Sequence, residues 1–211
     1  MKYWQEKKPE AITEKWVTDE VFNEAVRKYV PEQGRVLDYG CGHGWALFEI
    51  ANTISIERGL GIDPSVNGIE YANQCRCLSN AENLLFKVGN QSILENMEEC
   101  FDTVVSFNVI DVLPDETVHS ILQGIQKSLK KGGFFMLGIN PDYPFDFLEE
   151  LGYSRMEGYL YKDGILRGNE KTKEEWIHLL TTYFEFVEYN EFALEEREKQ
   201  YPRRMIILRK R

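Results

Sequence analysis

A carboxylate, three glycines and a second carboxylate stand at spacings that could hold a charged nucleoside. Asp38 leads into Gly40, Gly42 and Gly44 within Val36-Leu37-Asp38-Tyr39-Gly40-Cys41-Gly42-His43-Gly44, and Asp63 lies 25 residues after Asp38. Glycines let the backbone approach a ligand without side chains in the way. The start of the next helix presents unpaired N–H groups to negative charge. An acidic residue at the end of a second strand can accept hydrogen bonds from both ribose hydroxyls, each bond to a charged group contributing about 1.5–3 kcal/mol.

Two nucleoside ligands compete for such an arrangement. Dinucleotide enzymes use G-x-G-x-x-G, so that a pyrophosphate meets the helix dipole. Here the spacing is G-x-G-x-G, with Asp38 two residues ahead of the first glycine. A carboxylate at that place suits an ammonium group better than a pyrophosphate, while the helix end can take a carboxylate. An amino-acid tail carries both charges. The ligand implied is S-adenosylmethionine, with S-adenosylhomocysteine as its product.

The elements that must position these residues alternate. Short apolar strands are expected at 35–40, 60–63, 84–88, 101–108 and 134–139, and helices at 45–53, 66–77 and 115–130, with Ser65 as a cap for the second of these and Lys131-Gly132-Gly133 stopping the third. Alternation over residues 35–140 predicts parallel strands with helices on both faces. Residues 1–33 carry helical spacing (Trp16, Val17, Val21, Phe22, Ala25, Val26, Tyr29, Val30). Residues 153–168 predict a hairpin turning at Asp163-Gly164, 172–183 a helix, and 184–192 with 205–208 a final antiparallel pair. No linker divides the chain, so a single domain over 1–211 is expected.

In that setting residues 35–140 resemble a class I S-adenosylmethionine-dependent methyltransferase of the small-molecule type. The glycine run resembles the first motif of that family, and Gly61-Ile62-Asp63-Pro64-Ser65 the second, with Asp63 in the ribose-binding place. Val88-Gly89-Asn90-Gln91-Ser92 resembles the loop after the third strand, where Asn90 stands in place of the acidic residue that often holds the adenine amino group. Phe101 to Asp115 resembles the fourth-strand motif, with Asn108 and Val109 facing the ligand, and Lys130 to Phe134 the turn into the fifth strand. The resemblance implies a Rossmann-like, doubly wound α/β sheet of seven strands, mostly parallel with an antiparallel last strand. It implies cofactor contacts from Asp38, Gly40, Cys41, Gly42, His43, Asp63, Pro64, Asn90, Gln91, Ser92, Asn108 and Val109. Residues 35–140 would be the cofactor core. Acceptor choice would fall to residues 1–33 and 141–170, whose aromatic side chains include Tyr3, Trp4, Trp16 and Tyr143.

Methyl transfer from a sulfonium releases a neutral thioether and needs no acid; a base is needed only where the acceptor must lose a proton. Many relatives carry a histidine shortly after the fourth strand. This chain has Asp111 and Val112 there, which leaves Asp111 as a weak base candidate beside its plainer reading as a surface or helix-entry carboxylate. His119 reads as a surface residue. Asn140-Pro141-Asp142-Tyr143 resembles the signature of amino-group DNA methyltransferases but follows the fifth strand instead of the fourth, and reads as a turn.

Composition narrows the partners. With 25 Lys and Arg against 35 Asp and Glu the net charge is −10, which argues against a nucleic-acid-coating protein. No apolar run approaches a membrane span of about 18 residues, and the first residues show no signal-peptide core; a soluble, cytoplasmic protein is expected. Cys41, Cys75, Cys77 and Cys100 have no zinc-ribbon spacing, so reduced thiols and no metal are expected. The leading expectation is an enzyme methylating a small-molecule acceptor. Two other readings stand beside it: a non-catalytic module binding S-adenosylmethionine or S-adenosylhomocysteine, and a nicotinamide-dependent oxidoreductase. No motif specifies an oligomeric state.

Overall fold

The computed structural model describes residues 8–13 and 16–211. Its strands are β1 (Arg35–Tyr39), β2 (Arg58–Asp63), β3 (Leu84–Val88), β4 (Phe101–Phe107), β5 (Leu129–Ile139), β6 (Ser154–Met156), β7 (Tyr159–Lys162), β8 (Ile165–Asn169), β9 (Glu185–Phe192) and β10 (Arg203–Arg209). Its helices are α1 (Val21–Tyr29), α2 (Trp45–Thr53), α3 (Val66–Leu78), α4 (Asp115–Ser128), α5 (Phe145–Glu150) and α6 (Lys173–Leu180). Seven strands form one sheet in the order β3-β2-β1-β4-β5-β10-β9. β1 to β5 pair in parallel, and β10 runs antiparallel to both β5 and β9. This is the expected doubly wound sheet.

Alternation along the strands divides the core. Val36, Val105, Met136, Met205 and Ile207 face the side covered by α1, α2 and α3. Their neighbours Leu37, Val104, Phe135, Leu137, Ile206 and Leu208 face α4 and α6. Successive side chains on a strand point to opposite faces, so strands buried on both sides are largely apolar, with Asp38, Thr103, Ser106 and Arg204 as buried exceptions. Trp176 on α6 and Phe22 on α1 are fully buried, one on each side.

The order of the parallel strands reverses between β1 and β4, which opens a crevice at their carboxyl ends. Lys130 to Phe134 lies at the opposite edge, while the loops after β1, β2, β3 and β4, which carry four of the sequence motifs, leave the sheet at the crevice. Because β10 is antiparallel, it is its beginning that lies there, with Arg204 opposite Ile139 at the end of β5.

Three details differ from expectation. β5 starts directly after α4, and Lys131-Gly132-Gly133 lies inside it; Gly132 donates to the Lys210 carbonyl and Lys210 to that of Gly133, so chain from beyond β10 extends the ladder across the glycines. The hairpin turning at Asp163-Gly164 is present, but β6 joins it through a second tight turn at Glu157-Gly158, giving a separate three-stranded sheet. Helix α5 forms after Pro144 in what sequence alone leaves as loop. The small sheet is fastened to the start of α4: Asn169 Nδ2 and Lys171 Nζ donate to the Asp115 carboxylate at 2.9 and 2.7 Å, and the Asp115 N–H donates to Tyr159 Oη at 3.3 Å.

Among the described residues no helix is long and apolar enough to cross a membrane, and no His, Cys, Asp and Glu group could hold a metal ion. The cysteines are free, with Cys41 and Cys75 buried and Cys77 exposed.

Gly138 tests the packing beside the crevice. A Cβ there would meet Phe107 Cδ1 at 1.8 Å. Gly138→Ala should therefore destabilise the fold by about 1–3 kcal/mol, read as a lower denaturation midpoint with an unchanged slope; an unshifted midpoint would mean that Phe107 yields freely.

Candidate functional site

The glycine loop is built around its backbone. Gly40 and Cys41 N–H both donate to the Ile62 carbonyl, at 2.7 and 3.1 Å, which folds the loop over the end of β2. Gly40 (φ +76°) has no room for a side chain, since a Cβ would lie 2.2 Å from Val109 Cγ2. Gly42 (φ +53°) differs: a Cβ there would meet nothing within 4 Å. The loop is thus closed towards β4 at Gly40 and open at Gly42. Gly44, in the left-handed region, is the N-cap of α2.

Asp63 ties the second motif to the first. Its Oδ2 accepts from Gly42 N–H at 2.9 Å and its Oδ1 from Ser65 N–H at 2.8 Å. An ionised carboxylate has about four acceptor positions, so each oxygen retains capacity. Ser65 caps α3 as expected, accepting from Gly68 N–H. Pro64 beside it is exposed.

Asp38 lies beneath the loop with only 2% of its surface exposed, and its Oδ2 has no hydrogen-bond partner among the described residues. Burial, and next the negative charge of Asp63, hold its carboxyl well above the usual carboxylate range. Burial followed by Asp63 also pushes the Tyr39 hydroxyl up to about 12. The Cys41 thiol is pushed up chiefly by burial and then by the two carboxylates, which makes it unreactive. An unpaired buried acceptor of this kind is costly, and a cation would relieve it.

Around this centre the structure gathers further expected residues. Trp16 stacks on His43 with ring centroids 5.1 Å apart, and Tyr71 meets the same imidazole edge-on at 6.1 Å. The Trp16 N–H is fixed by Glu49 Oε2 at 2.7 Å, so the N-terminal segment passes over the glycine loop. Tyr3 and Trp4 lie outside the described residues. Asn90 precedes a short 3-10 turn (Gln91–Asn96), where Gln91 and Ser92 are exposed. Its Oδ1 accepts from both the N–H and the hydroxyl of Ser92, at 3.1 and 2.8 Å, so its amide NH2 is the group left to face outward. Asn108 sits just past β4 at φ +57°, its N–H donating to the Gly138 carbonyl and its Oδ1 buried without a partner among the described residues.

Asp111 is a correction to its plainer reading, because it is only 3% exposed. Its Oδ2 accepts from both the N–H and the Nδ2 of Asn140 at 2.8 Å, locking the loop after β4 to the end of β5, while its Oδ1 has no partner among the described residues. Burial raises its carboxyl, against the lowering effect of the Asn140 hydrogen bonds. His119 is exposed and bonds Tyr183 Oη through Nδ1 at 2.6 Å, in keeping with a surface role.

Asp111 and Asn140 also line a cavity of about 870 Å3 between the crevice, the small sheet and the segment before β10. Tyr143, expected to face an acceptor, is in its wall beside Phe147 and Tyr201, with ring separations of 5.2–6.2 Å. No ring contact joins Trp16 to Tyr143 among the described residues; one lies over the glycine loop and the other in the cavity. Sequence reasoning missed Tyr201 and Arg204, which line the same cavity. They sit in a charged stretch after β9, and only the antiparallel return of β10 carries them to this edge.

The family described as "Methyltransferase domain" matches residues 32–176. The ribosomal protein L11 methyltransferase of Clostridium botulinum is 31% identical over 144 residues, which is 66% of this chain and 43% of that protein, so the chain spans less than half the length of that curated relative. Two solved structures share the fold. An S-adenosylmethionine-dependent methyltransferase from Methanosarcina mazei has a TM-score of 0.68 at 24% identity, covering 88% of this chain and 96% of that one. The 1,6-didemethyltoxoflavin-N1-methyltransferase of Burkholderia thailandensis, with S-adenosylhomocysteine bound, has a TM-score of 0.69 at 17% identity, covering 92% and 80%.

The buried carboxyl of Asp38 gives this site a pH signature. A carboxyl whose folded value is raised keeps its proton after the unfolded chain has lost its own. Folding stability therefore falls as pH climbs from 3.8 through the raised value. Asp38→Asn should flatten that decline and raise the melting temperature near pH 8, by roughly 2–4 °C for each kcal/mol relieved. Parallel melts of the two proteins between about pH 5 and pH 8 check this; identical slopes would contradict an unpaired carboxyl.

Proposed function

From the premise that the chain belongs to the methyltransferase-domain family, as a class I S-adenosylmethionine-dependent methyltransferase, we propose that it transfers a methyl group from S-adenosylmethionine to a small-molecule acceptor. The observation that carries this reading is the Asp38 carboxylate, buried and unpaired beneath a loop that is open at Gly42. The donor set fits the cofactor. Asp38 receives the ammonium of the aminoacyl tail, whose cation restores the ionised carboxylate. The start of α2 faces the tail carboxylate, while Gly40, Cys41, Gly42 and His43, whose first three N–H groups are engaged by Ile62 and Asp63, border the tail by close backbone approach. Asp63, with Pro64 beside it, uses its remaining acceptor capacity on the ribose hydroxyls.

Asn90 takes a role altered from that of an acidic residue. With its oxygen engaged by Ser92, its NH2 donates to a ring nitrogen of the adenine, and Gln91 and Ser92 border the same base. Asn108 and Val109 close the cleft from the β4 side, Val109 pressing against Gly40. Residues 35–140 form the cofactor core, and segments 1–33 and 141–170 serve acceptor choice, with Trp16 and Tyr143 as their described aromatic contacts.

S-adenosylmethionine supplies a methyl group on a cationic sulfur, whose departure as a neutral thioether requires no proton donor. The chain's own part is to align the acceptor, exclude water and hold any proton the acceptor releases. The cavity beside Asp111 supplies the space, and at about 870 Å3 it has the size of a small-molecule site. Asp111, raised by burial and with Oδ1 unengaged, is the base in this reading.

Titration calorimetry tests the cofactor assignment. S-adenosylhomocysteine should bind and should stabilise the fold by about 2.7 kcal/mol at a hundredfold excess over its dissociation constant. Asp63→Ala should weaken binding roughly ten- to a hundredfold, the equivalent of one or two charged hydrogen bonds. Gly42→Val should abolish it, because its side chain would enter the open space. Stabilisation by NADH in place of S-adenosylhomocysteine would reverse the reading.

A further inference from the structure

The cavity contains a cation whose hydrogen-bonding capacity the fold does not fill. Arg204, on β10, is only 8% exposed. Its Nε donates to the Asn140 carbonyl at 3.1 Å, while its Nη1 has no hydrogen-bond partner among the described residues. Asp142 is 3.8 Å from Nη1, beyond hydrogen-bond reach, and its side chain is 78% exposed. Asp111 has its Oδ2 committed to Asn140 and its Oδ1 without a hydrogen-bond partner among the described residues, so Arg204 acts on it through space and not through a hydrogen bond. Two other carboxylates in the lining already have cations: Glu170 pairs with Arg155 at 2.7 Å and Glu198 with Arg203 at 2.6 Å. They do not oppose an incoming anion as free charges would. Burying a guanidinium with an unmet donor is costly unless an anion completes it, and its planar fork matches a carboxylate.

The wall of the cavity is of the opposite character. Tyr143, Phe147 and Tyr201 form a ring cluster along it, and Phe147 and Leu151 are exposed by 42% and 48%. Large apolar side chains left uncovered beside a buried cation describe the surface of an amphipathic ligand.

We propose that the acceptor is an organic acid, its apolar or aromatic body lying against Tyr143, Phe147 and Tyr201 and its carboxylate held by the Arg204 guanidinium. The inference rests on the methyltransferase reading for the term acceptor; the binding chemistry of the cavity stands on its own residues. Asp142 swings outward as the carboxylate takes its place, and Asn140 holds the guanidinium in position through Nε.

The test uses naphthoate and its uncharged amide, naphthamide, as probes, titrated into the full chain saturated with S-adenosylhomocysteine. Naphthoate should bind at least tenfold more tightly than naphthamide. Arg204→Gln should remove that preference, and Tyr201→Ala should weaken both probes by a similar factor. Equal affinity for acid and amide in the wild-type protein overturns the proposal, as does an acid preference that survives Arg204→Gln. Should Arg204→Gln fail to fold, the wild-type comparison decides alone. S-adenosylhomocysteine binding with neither probe bound sinks this inference and leaves the methyltransferase reading standing, whereas absence of S-adenosylhomocysteine binding sinks that reading first.

Discussion

Much of the arrangement follows from one unfavourable placement, the Asp38 carboxylate enclosed at the end of β1 with an oxygen unmatched. A folded chain tolerates such a group only where the surrounding packing outweighs it. Here the packing is the apolar interior of a central strand, paired with β2 on one side and β4 on the other. Asp63 is close enough to raise the Asp38 carboxyl further but is itself satisfied by two backbone N–H groups, so the two acids differ in their hydrogen bonding although they share a neighbourhood.

Topology then determines which side chains can join them. Parallel strands deliver their ends to one edge, and β1, β2, β4 and β5 bring Asp38, Asp63, Asn108 and Asn140 there by the same rule. β10 reaches that edge by running the other way. Its antiparallel pairing with β5 places Arg204 opposite Ile139, next to Asn140. A cationic residue near the end of the chain is thereby bonded to a loop more than sixty positions earlier.

The sheet was legible because β1, β2 and β3 are short runs ended by glycine or proline, because β4 is largely apolar, and because the helices carry their spacing openly. Boundaries failed where pairing overrode local signals: the glycines after α4 lie in a ladder that Lys210 extends, and neither glycine betrays that partner. The glycine loop was legible for a similar reason, since Asp38, the glycines and Asp63 lie in two compact motifs. The neighbouring region was not. Its cavity is assembled from residues around 111, 140, 153–172 and 197–204, and no local pattern links Tyr201 or Arg204 to Asp111. Asp111 itself looked like a surface acid because its enclosure comes from Asn140, which belongs to another strand end.

The interlock of Gly40 with Val109 fastens the loop after β1 to the loop after β4. Position 40 can gain a methyl only if position 109 gives way, since the two would stand 2.2 Å apart. Left-handed backbone at position 40 adds a second barrier that trimming Val109 does not remove. No single substitution removes both barriers, so the two loops act mechanically as one clasp.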